Sequence, residues 1–327
     1  MARKEIAKLL NCSSTELVFT GSGTEADNMA LRCAVNDLGI EHIITSEIEH
    51  KAVLDTAKEL GTKGVEIHFV NLESSGRADL KHLEVLASKY PKSLISLMHA
   101  NNEIGNLCDL EGLSAMCDAQ GAYLHSDTVQ TMAHLPLDFN QIKVHFAACS
   151  GHKFHGPKGI GFAYVRQGTT TQPFIQGGAQ ERGHRAGTEN VVGIAGLGAA
   201  FNHCVDEMAA DIAHVTSVKA HAIARLTSEF PGIQFNGHSG DLQKSLYTVL
   251  NFYHPELHEG GMLNFQLDIQ GVQCSGGSAC SSGAVGGSHV LNGLGSPGGT
   301  RISFSRYSTT DEVDRFIEIL KGISAQS

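Results

Sequence analysis

The chain has 327 residues, room for one large domain or two of ordinary size, and 41% of them are hydrophobic, enough for a sizeable core. A net charge of −10, from 24 basic and 34 acidic residues, argues against a general nucleic-acid surface. No apolar run approaches the roughly 18 residues of a membrane span, and the charged first residues are expected to form a helix rather than a secretory signal.

Residues 1–10 read as a helix. Short apolar runs then alternate with helical patterns. The expected strands are Glu16–Thr20, His42–Thr45, Val65–Val70, Leu94–Ala100, Tyr123–Ser126, His145–Cys149 and Gly161–Val165. The expected helices between them are Glu25–Leu38, His50–Leu60, Leu80–Lys89 and Leu110–Gln120. This alternation predicts an α/β fold: a mainly parallel seven-stranded sheet with helices on its faces. A glycine-rich, charged loop follows over Gly177–Asn190, then a mostly helical run over Val191–Ala224. The remainder mixes helix, strand and glycine loops and ends in a helix over Thr310–Ile323. The expected division is a large domain over 1–211 and a smaller α+β domain over 212–327. The eight cysteines are scattered without a Cys-x-x-Cys pair, so a zinc ribbon or thioredoxin-type motif is not expected. Reduced thiols in a cytoplasmic setting are the expectation.

Several segments carry candidate chemistry, and each has a plainer reading. Thr20-Gly21-Ser22-Gly23-Thr24-Glu25 follows a strand and opens a helix. Bare backbone and a helix N-terminus suit a phosphate; the alternative is a capped turn. Ser150-Gly151-His152-Lys153 places a lysine in a small-residue turn, 26 positions after Asp127. Pyridoxal phosphate needs a lysine amine for covalent attachment and an acid for its ring nitrogen. A desolvated Lys153 would have a lowered pKa and act as nucleophile and base; alone it reads as a surface lysine. Asp127 can equally be a cap, Gln130 a surface amide, and Ser150 and His152 turn-satisfying groups. His50 opens a helix and is one of 18 histidines. Asn101-Asn102-Glu103-Ile104-Gly105 follows a strand end, where ligands of open sheets gather; the asparagines can also simply make a turn. Cys274 to Gly283 is nearly all small residues. A cysteine within it reads as a reactive thiolate on a mobile loop, and a Cys274–Cys280 disulfide is disfavoured in a reducing compartment. Arg301 suits a carboxylate clamp or a surface ion pair.

Taken together and in order, these segments resemble the cysteine desulfurases, fold-type I, class V enzymes dependent on pyridoxal 5'-phosphate. The resemblance rests on Phe19–Asn28, Glu49–Val53, Asn101–Gly105, Ser150–Lys153, Arg185–Asn190 and Gly277–Cys280. It implies covalent attachment of the cofactor at Lys153, with Asp127 on the ring nitrogen, Gln130 on the ring hydroxyl and His50 stacked on the ring. Gly23, Thr24, Ser150 and His152 would hold the phosphate, and Thr188 would reach the phosphate site of a second subunit, implying a homodimer. Asn102 and Arg301 would bind the substrate carboxylate, with Asn102 also near the cofactor. Lys153, Cys280 and His50 would be catalytic. L-cysteine would become L-alanine, its sulfur held as a persulfide on Cys280 and passed to a sulfur-acceptor or iron–sulfur scaffold protein. The resemblance also raises iron–sulfur binding at Cys280. Selenocysteine lyase is the neighbouring reading. Relatives carry several dozen residues before the position of Met1, which raises a reading of another class, a non-catalytic sulfur-relay scaffold.

Overall fold

The computed structural model describes residues 1–277 and 287–325. The chain divides into two compact units. The first comprises residues 1–71, 78–99 and 108–208; the second comprises 72–77, 100–107 and 209–327.

The first unit contains α1 (Ala2–Leu9), β1 (Leu17–Thr20), α2 (Gly23–Leu38), β2 (His42–Thr45), α3 (Lys51–Gly61), β3 (Glu66–Phe69) and α4 (Leu80–Lys89). It continues with β4 (Leu94–Ser96), α5 (Leu110–Gln120), β5 (Tyr123–Asp127), β6 (Phe146–Ser150), β7 (Gly161–Val165) and α6 (Val191–Asp206). Its seven strands form one sheet in the order β1-β7-β6-β5-β4-β2-β3. The pairings from β6 through β3 are parallel. β7 is antiparallel to both neighbours, so it alone is reversed. The carboxyl ends of the other six strands therefore share one edge of the sheet.

Strand side chains alternate between faces, and here both faces are apolar. Leu17, Ile44, Ile95, Ala147, Cys149, Phe162 and Tyr164 join one core with α1, α4, α5 and α6. Val18, Ile43, Leu94, Phe146, Ala148, Ala163 and Val165 join the other with α2 and α3. This double burial explains why the strands read as continuous apolar runs rather than alternating ones.

α7 spans Met208–Glu229. The second unit takes all of it but Met208, then β8 (Gln234–Phe235), β9 (Val249–Tyr253), α8 (Leu263–Ile269), α9 (His289–Gly293), β10 (Thr300–Ser303) and α10 (Thr310–Ser324). Its sheet runs β10-β9-β8 and is antiparallel. The Lys219 ammonium is fully buried and donates to Ser245 Oγ at 2.7 Å and Leu246 O at 2.9 Å. The expected mostly helical run from Val191 is helical throughout except at Glu207, where it divides into two helices.

Candidate active site

Apart from Asn102 and Thr188, the predicted cofactor residues collect at the carboxyl edge of the first unit's sheet. Each follows the end of a different strand: Gly23 and Thr24 after β1, His50 after β2, Asp127 closing β5 with Gln130 beyond it, and Ser150, His152 and Lys153 at and after β6. Open α/β sheets bind ligands at this edge because the strands end there and the loops are free to diverge.

The Gly21–Thr24 turn is built for close approach. Ser22 caps α2, its Oγ accepting from Glu25 N at 3.2 Å. The N–H groups of Gly23 and Thr24, in the first helical turn, have no intrahelical acceptor. A Cβ on Gly23 would stand 2.5 Å from Val129 Cγ2 and 3.3 Å from Ser150 Cβ, so only glycine leaves this cradle bare. Ser150 Oγ and His152 Nδ1 are 2.9 Å apart across it. Glu25 ties the turn to the Arg185 loop: its Oε2 accepts from Gly21 N at 2.8 Å and its Oε1 from Arg185 Nε at 2.7 Å.

Asp127 is buried, and its Oδ1 accepts from Val129 N at 2.9 Å. Burial pushes its pKa up, while the nearby charges of His50 and Lys153 and the Val129 N–H pull it down. His50 caps α3, its Nδ1 accepting from Ala52 N at 3.1 Å. The cap reading and the site reading meet in one residue: ligand-type atoms of Asp27, His50 and Asp127 all lie within 4.8 Å of one another. Gln130 is half-buried, and Thr188 is exposed.

Lys153 departs from one expectation. It sits on a single 3-10 turn over Gly151–Phe154 and is exposed rather than desolvated. The turn projects beyond the end of β6, so the apolar run before it buries the strand and not the lysine. His134 Nε2 lies 2.9 Å from its carbonyl oxygen and helps fix the turn.

Sequence reading missed the layer beneath Asp127. Asp27 and Glu49 are buried carboxyls, and burial with repulsion from Asp127 pushes both pKa values up, that of Glu49 to about 8. His125 Nε2 lies 3.3 Å from Asp27 Oδ1, and its Nδ1 lies 2.8 Å from Ser96 Oγ. Burial lowers His125 to about 3, so the imidazole is neutral. The signal for Asp27 was available: it lies on the buried stripe of α2 with Gly23, Ala26 and Ala30.

Asn102 and Arg301 belong to the second unit, where Arg301 Nη1 donates to Asn102 O at 2.8 Å. Neighbouring Asn101 makes the turn, its Oδ1 accepting from Glu103 N at 2.8 Å and Ile104 N at 3.1 Å. Arg301 also exchanges backbone hydrogen bonds with Ser275, at 2.6 and 3.1 Å, at the root of the small-residue loop. Cys280 lies outside the described residues. Cys274 is half-buried, its Sγ 3.3 Å from Asn264 Oδ1, and burial pushes its thiol up to about 11.

The first-unit residues fit pyridoxal phosphate. The bare Gly23 cradle at a helix N-terminus matches the phosphate. The buried Asp127, whose ionised form needs a positive neighbour, matches a protonated ring nitrogen.

Comparison with known proteins agrees with this fit. A family profile described as Aminotransferase class-V matches residues 1–316. "Cysteine desulfurase IscS" of Dictyoglomus turgidum is 37% identical over 98% of this chain and 82% of its own length. "Cysteine desulfurase" of Nostoc sp. is 38% identical over 98% of this chain and 81% of its own. A solved "NifS-like protein" superimposes with a TM-score of 0.90 at 33% identity, covering all of this chain and 87% of that one.

Proposed function

The chain belongs to the class-V aminotransferase family and, within it, to the cysteine desulfurases; from that premise we propose that it converts L-cysteine to L-alanine with pyridoxal 5'-phosphate and passes the sulfur to an acceptor protein. The observation that carries the site assignment is the buried Asp127 beside His50, on the strand next to the one that delivers Lys153.

Bound pyridoxal phosphate supplies an electron sink conjugated to the substrate's α-carbon. Lys153 Nζ would be the attachment point and would remove and return the α-proton. Asp127 would hold a proton on the ring nitrogen. Its burial strengthens that ion pair, because charge–charge attraction grows as water is excluded. His50 covers the ring, and its Nε2 remains for proton transfer because Nδ1 is engaged as the helix cap. Gly23, Thr24, Ser150 and His152 hold the phosphate, and Gln130 orients the ring hydroxyl. Asn102 and Arg301 bind the substrate carboxylate.

Cys280 Sγ, as thiolate, attacks the substrate sulfur. An S–S bond forms, the C–S bond breaks, and the carbon takes up a proton and leaves as the methyl group of alanine. The persulfide on Cys280 is then handed on. The pairing of Arg301 with Ser275 supports this division of labour, since the carboxylate anchor and the loop root share one backbone bridge.

Thr188 serves the phosphate site of a second copy. In support, Val191 and Val192, just beyond it, are 68% and 84% exposed, apolar surface suited to a homodimer contact. Among the described residues no helix is long and apolar enough to cross a membrane; the cytoplasm is the proposed compartment.

The deciding experiment incubates the cofactor-loaded protein with L-cysteine and a reductant and measures sulfide and alanine together. The expected outcome is equal yields of both. In Cys280→Ser the cofactor's visible absorbance stays and protein-bound persulfide disappears. Undiminished persulfide on that variant would remove Cys280 from the mechanism.

A further inference from the structure

A second convergent cluster lies in the first unit, toward the amino-terminal ends of β2 and β3 and away from the edge that holds the cofactor residues. His42 is paired in register with Glu66, and Ile44 with His68. Two residues along a strand return to the same face, so His42, Glu66 and His68 project from one face of the last strand pair of the sheet. His42 Nδ1 lies 3.2 Å from His68 Nε2. Glu66 Oε2 lies 3.7 Å from each of those nitrogens. A point equidistant from the three atoms falls about 2.0 Å from each, which is the bond length of zinc to imidazole nitrogen and carboxylate oxygen.

The imidazoles are held in place. Tyr90 stacks on His68 with ring centroids 3.9 Å apart and lies 4.5 Å from the His42 ring. Their side chains are 24% and 15% exposed, whereas Glu66 is 63% exposed. That point lies in the plane of the three atoms, so a tetrahedral ion with water as fourth ligand needs the exposed Glu66 carboxylate to swing a few tenths of an ångström toward the two fixed imidazoles. The plainer account is a single hydrogen bond between the rings with Glu66 as a bystander. It explains the nitrogen–nitrogen distance but not the equal approach of one carboxylate oxygen to both.

The geometry points to a divalent transition-metal site of the zinc class at His42, Glu66 and His68, one per chain, clasping the edge strand β3 to β2. Neutral imidazole and carboxylate donors suit zinc and its neighbours and disfavour calcium and magnesium, which take all-oxygen shells. The ion would be structural, and its loss would free the end strand.

The test uses the untagged, cofactor-loaded protein with accessible thiols alkylated, so that cysteines do not compete for the probe. Zinc(II) titration calorimetry should give one site per chain, and melting should shift upward with excess zinc. Cobalt(II) should give weak visible bands without the strong near-ultraviolet absorption of thiolate ligation. His68→Gln and Glu66→Gln should each weaken zinc binding by at least about 10-fold, a conservative bound given that even outer-shell changes cost that much. Desulfurase turnover, measured on the same proteins before alkylation, should be unchanged in both. Saturation with unchanged affinity in these variants, a thiolate-type cobalt spectrum, or no saturable binding would overturn the site. If His68→Gln does not fold, the exposed Glu66→Gln decides.

Discussion

Lys153 and Gly23 carry the sharpest consequences at single positions. Lys153→Ala should abolish both the bound cofactor's visible absorbance and turnover, measured by spectrum and by sulfide release; retained sulfide release would refute the role. Gly23→Ala places a methyl 2.5 Å from Val129 Cγ2. It should lower cofactor affinity by an order of magnitude or more, read by fluorescence titration, while α2 still forms, because alanine favours a helix over glycine. The candidate site was legible in the sequence where a motif calls for a residue type: glycine for close approach, a lysine suited to attachment, a carboxylate 26 positions earlier. Asp27, Glu49 and His125 were not legible, because their role depends on burial beside Asp127, which only the folded sheet creates. The exposure of Lys153 was missed for the same reason: small flanking residues reveal a tight turn but not which way it faces.

The elements were readable wherever ends carry their own chemistry. α10 opens with a capping box, Thr309 Oγ1 accepting from Glu312 N at 3.2 Å and Glu312 Oε2 accepting from Thr309 N at 2.9 Å. Thr309→Ala should cost about 1 kcal/mol, measured by urea unfolding, and leave the cofactor spectrum untouched. The break between α6 and α7 was invisible because Cys204 to Ala210 contains neither glycine nor proline. β2 and β7 keep the expected bounds, but other strand ends shifted by a residue or more: β4 covers only Leu94–Ser96 of the expected Leu94–Ala100, and residues 100–107 pass into the second unit. An apolar run reports burial, but the point where a chain leaves a sheet depends on its neighbours.

Across the whole molecule, several histidines are held neutral by burial. Their pKa values fall from 6.5 to about 4 for His99 and His145 and about 3 for His125. The unfolded chain takes up protons on these rings near pH 6.5, and the folded chain does so only at lower pH. Stability is therefore fully present above that value and is lost as pH falls toward 4. Each imidazole contributes about 1.4 kcal/mol per pH unit within its window. Asp27 and Glu49, with raised pKa values, gain stability over the same fall in pH and offset part of this loss. The His125 share is read by difference: between pH 6.5 and 4 the melting temperature should fall further in the unsubstituted protein than in His125→Gln, and parallel curves would contradict this. The reversed strand has a consequence for how the protein is born. Among the described residues β1 has β7 as its only sheet partner, Thr20 opposite Gly161. At synthesis rates of about 5–20 residues per second the ribosome needs about 7–28 s to make the chain between them. During that interval Leu17, Val18 and Phe19, an apolar tripeptide destined for the interior, wait unmatched, and chaperone capture of the nascent chain should be strongest until Val165 emerges.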